Sequence, residues 1–130
     1  MNGEAPGIEA FEALDFDPDA FDHAAHVFVA RELIARFGED EAAVRYSRTL
    51  AALTQRLGVP EKYHETITRF YILAIAERLR LAPSADWQAF KSANTDIMDG
   101  SLLRASYSPE RLASPDARRH FLPPDRRRVA

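Results

Sequence analysis

The sequence predicts an all-α protein, a four-helix up-down bundle with an N-terminal arm and short C-terminal helices or turns. Three observations predict this fold class. Apolar residues recur at spacings of three and four across most of residues 17–98, no segment alternates like a strand, and glycine or proline separates the periodic segments. The chain has 130 residues, 46% of them hydrophobic, which is enough to bury the core of one domain.

The chain divides into three predicted parts. Residues 1–16 form an arm that either lies across a groove of the domain or stays loose. Residues 17–123 form a single helical domain, and residues 124–130 form a basic tail. The apolar side chains that could hold the arm are Ile8, Phe11, Leu14 and Phe16.

The first two helices have clear start and stop signals. The first is predicted to begin at Asp17-Pro18-Asp19, where a capping acceptor precedes a proline and an acidic side chain, and to end at Phe37 before Gly38. The second begins at Glu39 or Asp40 and ends before Gly58. Its single apolar stripe consists of Ala43, Tyr46, Leu50, Leu53 and Leu57.

The third helix is predicted to open at Pro60 and to run to Leu81, with an apolar sector broad enough for a central position. The fourth covers residues 85–98 and turns Trp87, Phe90 and Ile97 toward the core. Beyond Gly100, two segments have the serine, proline, acid order of a short helix start, namely Ser108-Pro109-Glu110 and Ser114-Pro115-Asp116.

Composition narrows the class of protein. The chain has no cysteine, no apolar run of about 18 residues and no leader with a basic start and an apolar core, so we expect a cytoplasmic protein without a membrane span. The net charge is -3, with arginines concentrated at the C-terminal end. Arg126, Arg127 and Arg128 lie beside prolines without interleaved aromatics, which is typical of a solvated tail and argues against a nucleic-acid partner.

Three of the four histidines, His23, His26 and His64, fall in the opening turns of the first and third predicted helices. Helical periodicity places all three on the core-facing sides of those helices. Short connections at Gly38 and Val59-Pro60 favour antiparallel neighbours, so the N-termini of the first and third helices should share one end of the bundle. The sequence therefore predicts one polar pocket that contains all three imidazoles.

Such a pocket suits two kinds of chemistry. Three inward imidazoles can hold a divalent transition metal such as zinc or iron and leave one position open, with Asp96 or Asp99 as a further ligand or an acceptor for an imidazole. Without a metal, a histidine at a helix start is kept neutral and can exchange protons with a small polar molecule. The residues predicted to contact that small-molecule ligand are Thr68, Tyr71, Asp99 and Tyr107.

The sequence also allows a hypothesis from a different functional class. Exposed aromatic residues of the arm and helices would then engage a partner helix, as in a non-enzymatic interaction module or a homodimer.

Two segments resemble a small bacterial all-helical protein family. They are FDHAAH at 21–26 and YHETITRF at 63–70, followed by Tyr107-Ser108 and Pro124-Asp125. The resemblance covers residues 20–125 and implies a helical fold but no activity. The architecture is also similar to DinB-like bundles with three-histidine metal sites, although that family's histidine spacing is missing here, so the analogy concerns fold and type of site.

Overall fold

The computed structural model describes residues 5–126, which contain helices and no strand, as predicted. Short 3-10 turns lie at Pro18–Ala20 and Pro60–Lys62. The α-helices are α1 (Ile8–Glu12), α2 (His23–Phe37), α3 (Glu39–Arg56), α4 (Glu65–Leu81), α5 (Trp87–Ala93), α6 (Thr95–Met98), α7 (Ser101–Ser106), α8 (Pro109–Ala113) and α9 (Pro115–Arg119). None of these helices combines the length and apolarity needed to cross a bilayer.

The three long helices α2, α3 and α4 pack against one another and form the centre of the fold. Leu33 of α2 and Ile75 of α4 are fully buried between them. The chain turns from α2 into α3 at Gly38, whose φ of 86° lies in the region that favours glycine. The predicted antiparallel connections therefore exist.

The predicted fourth helix is split into α5 and α6 at Asn94. The side-chain nitrogen Nδ2 of Asn94 donates to Phe90 O at 2.8 Å, and the side-chain oxygen Oδ1 accepts from Arg78 Nη1 at 2.8 Å. These side-chain bonds, one local and one to α4, accompany a non-helical backbone at Asn94, with φ -128° and ψ 49°. Phe90 and Ile97 are nevertheless buried as predicted, so the two short helices together fill the fourth position of the bundle.

The first long helix starts later than predicted. Pro18–Ala20 forms only a 3-10 turn, the backbone leaves the helical region at Phe21, and Asp22 caps α2 by accepting from Ala25 N at 2.9 Å. The prediction that this helix begins at Asp17 is therefore wrong. Phe21 is buried within an aromatic cluster, 4.8 Å from the Phe16 ring, and this packing accounts for the break.

The start of α4 shifts in the same way. Pro60–Lys62 is a 3-10 turn, and the α-helix begins only at Glu65. His64 is the N-cap of α4, because its Nδ1 accepts a hydrogen bond from the Ile67 N–H at 3.2 Å. His64 therefore lies just outside the helix instead of within its first turns.

The N-terminal segment is part of the folded domain from residue 5 onward. The Phe11 ring of α1 has 0% exposure and packs beside Tyr46 at 5.9 Å. Glu12 accepts two hydrogen bonds from Arg45, at 2.9 and 2.6 Å. Residues 1–4 of the predicted arm lie outside the described residues.

The C-terminal part wraps the start of α4. Ser108 and Ser114 cap α8 and α9 as predicted, whereas α7 lies in a segment for which no helix was predicted. Thr66 fastens this part to α4, since its hydroxyl donates to His120 O at 2.8 Å and accepts from Leu122 N at 3.0 Å. Asp125 and Arg126 of the predicted tail also bond to the domain, and residues 127–130 lie outside the described residues.

Candidate functional site

A cavity of about 410 Å³ lies where the first turns of α2 and α4 meet the second half of α3. This volume is within the range of small-molecule sites, which is about 300–1,000 Å³. We call it the histidine cavity. Its lining residues are His23, His26, Val27, Tyr46, Leu50, Leu53, Thr54, Lys62, Tyr63, His64, Ile67, Thr68 and Tyr71.

Five of the residues singled out from the sequence are brought together here. His23 and His26 come from α2, while His64, Thr68 and Tyr71 come from the start of α4. The shared end of α2 and α4 follows from the antiparallel connections through α3. The remaining lining residues are mostly apolar or aromatic, so the cavity has a hydrophobic wall with a few polar groups.

His26 is the histidine with the most distinctive environment. It is half-buried, its ring lies 4.1 Å from that of Phe21, and its Nδ1 donates to Asp22 O at 2.8 Å. Because a carbonyl can only accept, this bond fixes the proton on Nδ1 and leaves a lone pair on Nε2. Nε2 accepts no hydrogen bond from the described part of the chain.

The protonation of His26 is set mainly by burial. Burial lowers its pKa, and the Asp22 carbonyl opposes the shift only in part. The nearby charge of His23 lowers the pKa of His26 further. His26 is therefore neutral at neutral pH and presents Nε2 as a hydrogen-bond acceptor.

His23 lies at the rim of the cavity. The prediction that it faces the core is wrong, because His23 is the first residue of α2 and its side chain is exposed. Its Nε2 donates to Ile97 O at 2.9 Å, and its ring meets the Tyr71 ring edge-on at 5.2 Å. His23 thus links the start of α2 to α6.

His64 is buried and fully engaged. Its Nε2 donates to Leu112 O at 2.7 Å, while its Nδ1 accepts from Ile67 N. Burial lowers the pKa of His64, and the charge of Arg118 adds to that shift. His64 therefore holds α8 against the start of α4 and has no ring nitrogen left for a ligand.

The three imidazoles do not fit the predicted three-ligand metal centre. A metal ion needs a free lone pair on each ligating nitrogen, and both nitrogens of His64 already form hydrogen bonds to the protein backbone. Within residues 5–126, no group of three or more His, Cys, Asp or Glu side chains is placed to hold a metal ion. The donor set therefore gives no structural support to a zinc or iron site.

Hydroxyl groups provide the other polar atoms of the lining. Thr68 Oγ1 donates to His64 O at 2.7 Å, and Tyr63 donates to Glu65 at 2.6 Å. Burial raises the pKa of Tyr46, Tyr63 and Tyr71, so all three phenols stay protonated at neutral pH. The Tyr71 hydroxyl forms no hydrogen bond within the described part of the chain, which leaves it able to donate to a ligand or water.

Asp99 and Tyr107 do not line the cavity. Asp99 is exposed and accepts from Ser101 N at 2.8 Å at the start of α7. Tyr107 is buried, donates to Leu122 O at 2.7 Å, and has its pKa raised by burial to about 12. Their observed contacts are structural, so the structure does not place them with the other predicted ligand contacts.

Several lining residues were not singled out as site residues from the sequence. Tyr46, Leu50 and Leu53 belong to the apolar stripe of α3, which predicts packing and gives no separate sign of a cavity. Lys62 and Tyr63 lie in the connection before α4. The placement of Lys62 and Tyr63 directly beside His64 is the sequence signal that could have identified these two residues.

Comparison with family models, with curated protein sequences and with solved structures gave no match.

Proposed function

We propose that the chain binds a small organic molecule in the histidine cavity, and that His26 Nε2 accepts a hydrogen bond or a proton from that molecule. One observation carries the proposal. His26 has its Nδ1 proton committed to Asp22 O, while the opposite ring nitrogen has no partner in the described chain. A neutral imidazole in an apolar cavity is a typical hydrogen-bond acceptor and general base.

The shape and lining of the cavity support a mainly apolar ligand body. Val27, Leu50, Leu53 and Ile67 provide aliphatic surface, and three tyrosine rings provide aromatic surface. Covering this surface with an apolar group contributes about 25 cal/mol for each Å² removed from water. A hydroxyl or amine on the ligand would then direct it toward His26.

Asp22 makes the acceptance of a proton by His26 feasible. When Nε2 takes the proton from an O–H or N–H group of the ligand, the ring becomes positive. The carbonyl of Asp22 already accepts from Nδ1 at 2.8 Å, and the Asp22 carboxylate also favours the charged ring. Asp22 would therefore orient His26 and stabilise the imidazolium, without contacting the ligand.

The test is a titration of ¹⁵N-labelled protein with small phenols and branched alcohols, followed by backbone amide shifts. We expect shifts that cluster on the lining residues. His26→Phe keeps an aromatic ring beside Phe21 but removes the acceptor, so it should weaken binding by about three- to tenfold, the effect of one hydrogen bond. His120→Phe changes an exposed histidine outside the cavity and should leave binding unchanged.

A second variant separates cavity binding from surface binding. Leu53→Trp fills the cavity from α3 and leaves all histidines in the sequence, so it should abolish the shifts of the lining residues. Equal binding by the wild type, His26→Phe and Leu53→Trp would contradict the proposal. The alternative of an interaction module or homodimer predicts instead that none of these small molecules shifts the lining residues and that the chain self-associates at micromolar concentration.

A further inference from the structure

We infer that the ligand is an organic monoanion, with an apolar body inside the histidine cavity and a carboxylate at its mouth beside Lys62. This inference rests on the proposed function and names the class of ligand. It depends on the charges that surround the cavity and on the contacts that already occupy the nearby carboxylates.

The lining of the cavity contains a cation and no carboxylate. Among the described residues that line it, Lys62 is the one with a formal charge at neutral pH, since the neighbouring histidines His26 and His64 have lowered pKa values. The Lys62 side chain is exposed and forms no ion pair with any residue in 5–126. Its ammonium group is therefore free to meet a ligand anion.

A second cation, Arg118, lies on the same side of the cavity as Lys62. Arg118 donates to Glu61 O at 3.0 Å, in the turn that carries Lys62, and its charge contributes to the lowered pKa of His64. The side of the cavity that carries Lys62 thus has two cations, Lys62 and Arg118, against the one carboxylate of Glu61, although the whole chain has a net charge of -3. A local potential opposite to the net charge favours an anionic ligand over a cationic one.

Two other carboxylates near the cavity, those of Glu65 and Asp22, have partners of their own. Glu65 accepts from the Tyr63 hydroxyl at 2.6 Å and pairs with Arg69 at 3.4 Å. Asp22 accepts from Ala25 N at 2.9 Å. Neither carboxylate lines the cavity, so a cationic ligand group would find no counter-charge there.

The apolar wall and the cationic mouth together define the ligand class. A neutral apolar molecule would use the wall but leave Lys62 unused, whereas a highly charged molecule would have to bury charge against leucine and isoleucine. A monocarboxylate with an aromatic or branched body satisfies both regions. A phenol or alcohol on that body could reach His26.

The experiment compares matched acids and amides. The probes are 4-hydroxyphenyl alkanoates with one to three methylene groups, and the primary amides of the same compounds, which differ mainly in charge. Wild-type protein should bind the best acid about fivefold more tightly than its amide, as expected for an exposed ion pair. Raising the salt from about 0.05 M to about 0.5 M should reduce this preference, because exposed charges are screened.

The chain offers a matched control for Lys62. Lys62 and Lys91 are its two lysines, and Lys91 lies against the Trp87 ring outside the cavity. Lys62→Met should remove the preference for the acid over its amide. Lys91→Met removes the same charge elsewhere and should keep the preference.

The outcomes separate the ligand class from the proposed function. Equal binding of acid and amide, with shifts on the lining residues, would overturn the anion inference and leave the cavity as a binding site. A preference that survives in Lys62→Met would overturn the role of Lys62. If no probe shifts the lining residues, both the ligand class and the proposed function fail.

Discussion

Replacing His64 by alanine should destabilise the fold by removing two hydrogen bonds at once. The side chain accepts from Ile67 N and so caps α4, and it donates to Leu112 O, which ties α8 to the same point. Alanine keeps neither bond. Asparagine can still accept from Ile67 N but is too short to reach Leu112, so His64→Asn isolates the second contact.

The size of the effect follows from these two contacts. Loss of an N-cap costs about 0.5–2 kcal/mol. Leaving the partly buried Leu112 carbonyl without its donor costs about 1–3 kcal/mol. We therefore expect His64→Ala to lower the free energy of unfolding by about 2–4 kcal/mol and His64→Asn by about 1 kcal/mol less.

Urea denaturation at neutral pH measures both variants against the wild type. An exposed histidine supplies the control, and His120→Ala should lie within about 0.5 kcal/mol of the wild type. A cost below about 0.5 kcal/mol for His64→Ala would refute the assignment of His64 as the cap that joins α4 to α8.

The same contacts predict a dependence of stability on pH. Folding lowers the pKa of His64 and His26 from the ordinary value of 6.5, so the unfolded chain takes up these protons first as the pH falls. This contribution is complete above pH 6.5 and is lost as the pH drops toward the lowered folded values. Between about pH 8 and about pH 5, the free energy of unfolding of His64→Asn should fall less steeply than that of the wild type. Identical slopes would contradict the link.

Three further predictions concern the fold. Phe11→Ala should cost about 3–5 kcal/mol in urea denaturation because the ring is fully buried, and a cost below about 1 kcal/mol would mean that α1 is not part of the core. Asp96→Asn should lower the free energy of unfolding by about 1 kcal/mol at neutral pH, because the paired bonds to Arg78 are lost. The difference from the wild type should disappear as acid protonates Asp96, and a difference that persists in acid would contradict this reasoning. Gly38→Ala should cost about 1–3 kcal/mol, because φ 86° and ψ 167° suit glycine alone, and an unchanged melting temperature would contradict that reading.

Much of the fold was predictable from local signals. Gly38 marks the turn between α2 and α3, and the serine, proline, acid order at Ser108 and Ser114 correctly predicted α8 and α9. These signals succeed because capping and positive φ are decided by a few neighbouring residues. The all-α class follows from periodicity over long segments in the same way.

The errors occur where side-chain contacts that helical periodicity does not describe decide the local structure. Phe21 leaves the helical region where it packs against Phe16, and Asn94 breaks the fourth helix where its side chain bonds to Arg78. Neither partner can be inferred from spacing along a helix. The burial of Phe11 within the core likewise depends on a groove that the sequence does not reveal.

The candidate site was partly predictable for the same reason. Topology alone brings His23, His26 and His64 to one end of the bundle, and all three line the histidine cavity. The bonds of His23 and His64 to Ile97 and Leu112 were not predictable, because these acceptors come from segments far along the chain, whereas His26 bonds locally to Asp22. Those bonds decide which nitrogens remain free, so they change the chemistry expected of the site.

The most direct test of the account is the ionisation of His26, read from its imidazole ¹⁵N shifts in a pH titration and assigned with His26→Gln. We predict a neutral ring at pH 7 with the proton on Nδ1, an unprotonated Nε2, and a pKa below the ordinary value of 6.5. A ring with its proton on Nε2, or a pKa above 6.5, would contradict the claim that this cavity presents a neutral imidazole acceptor.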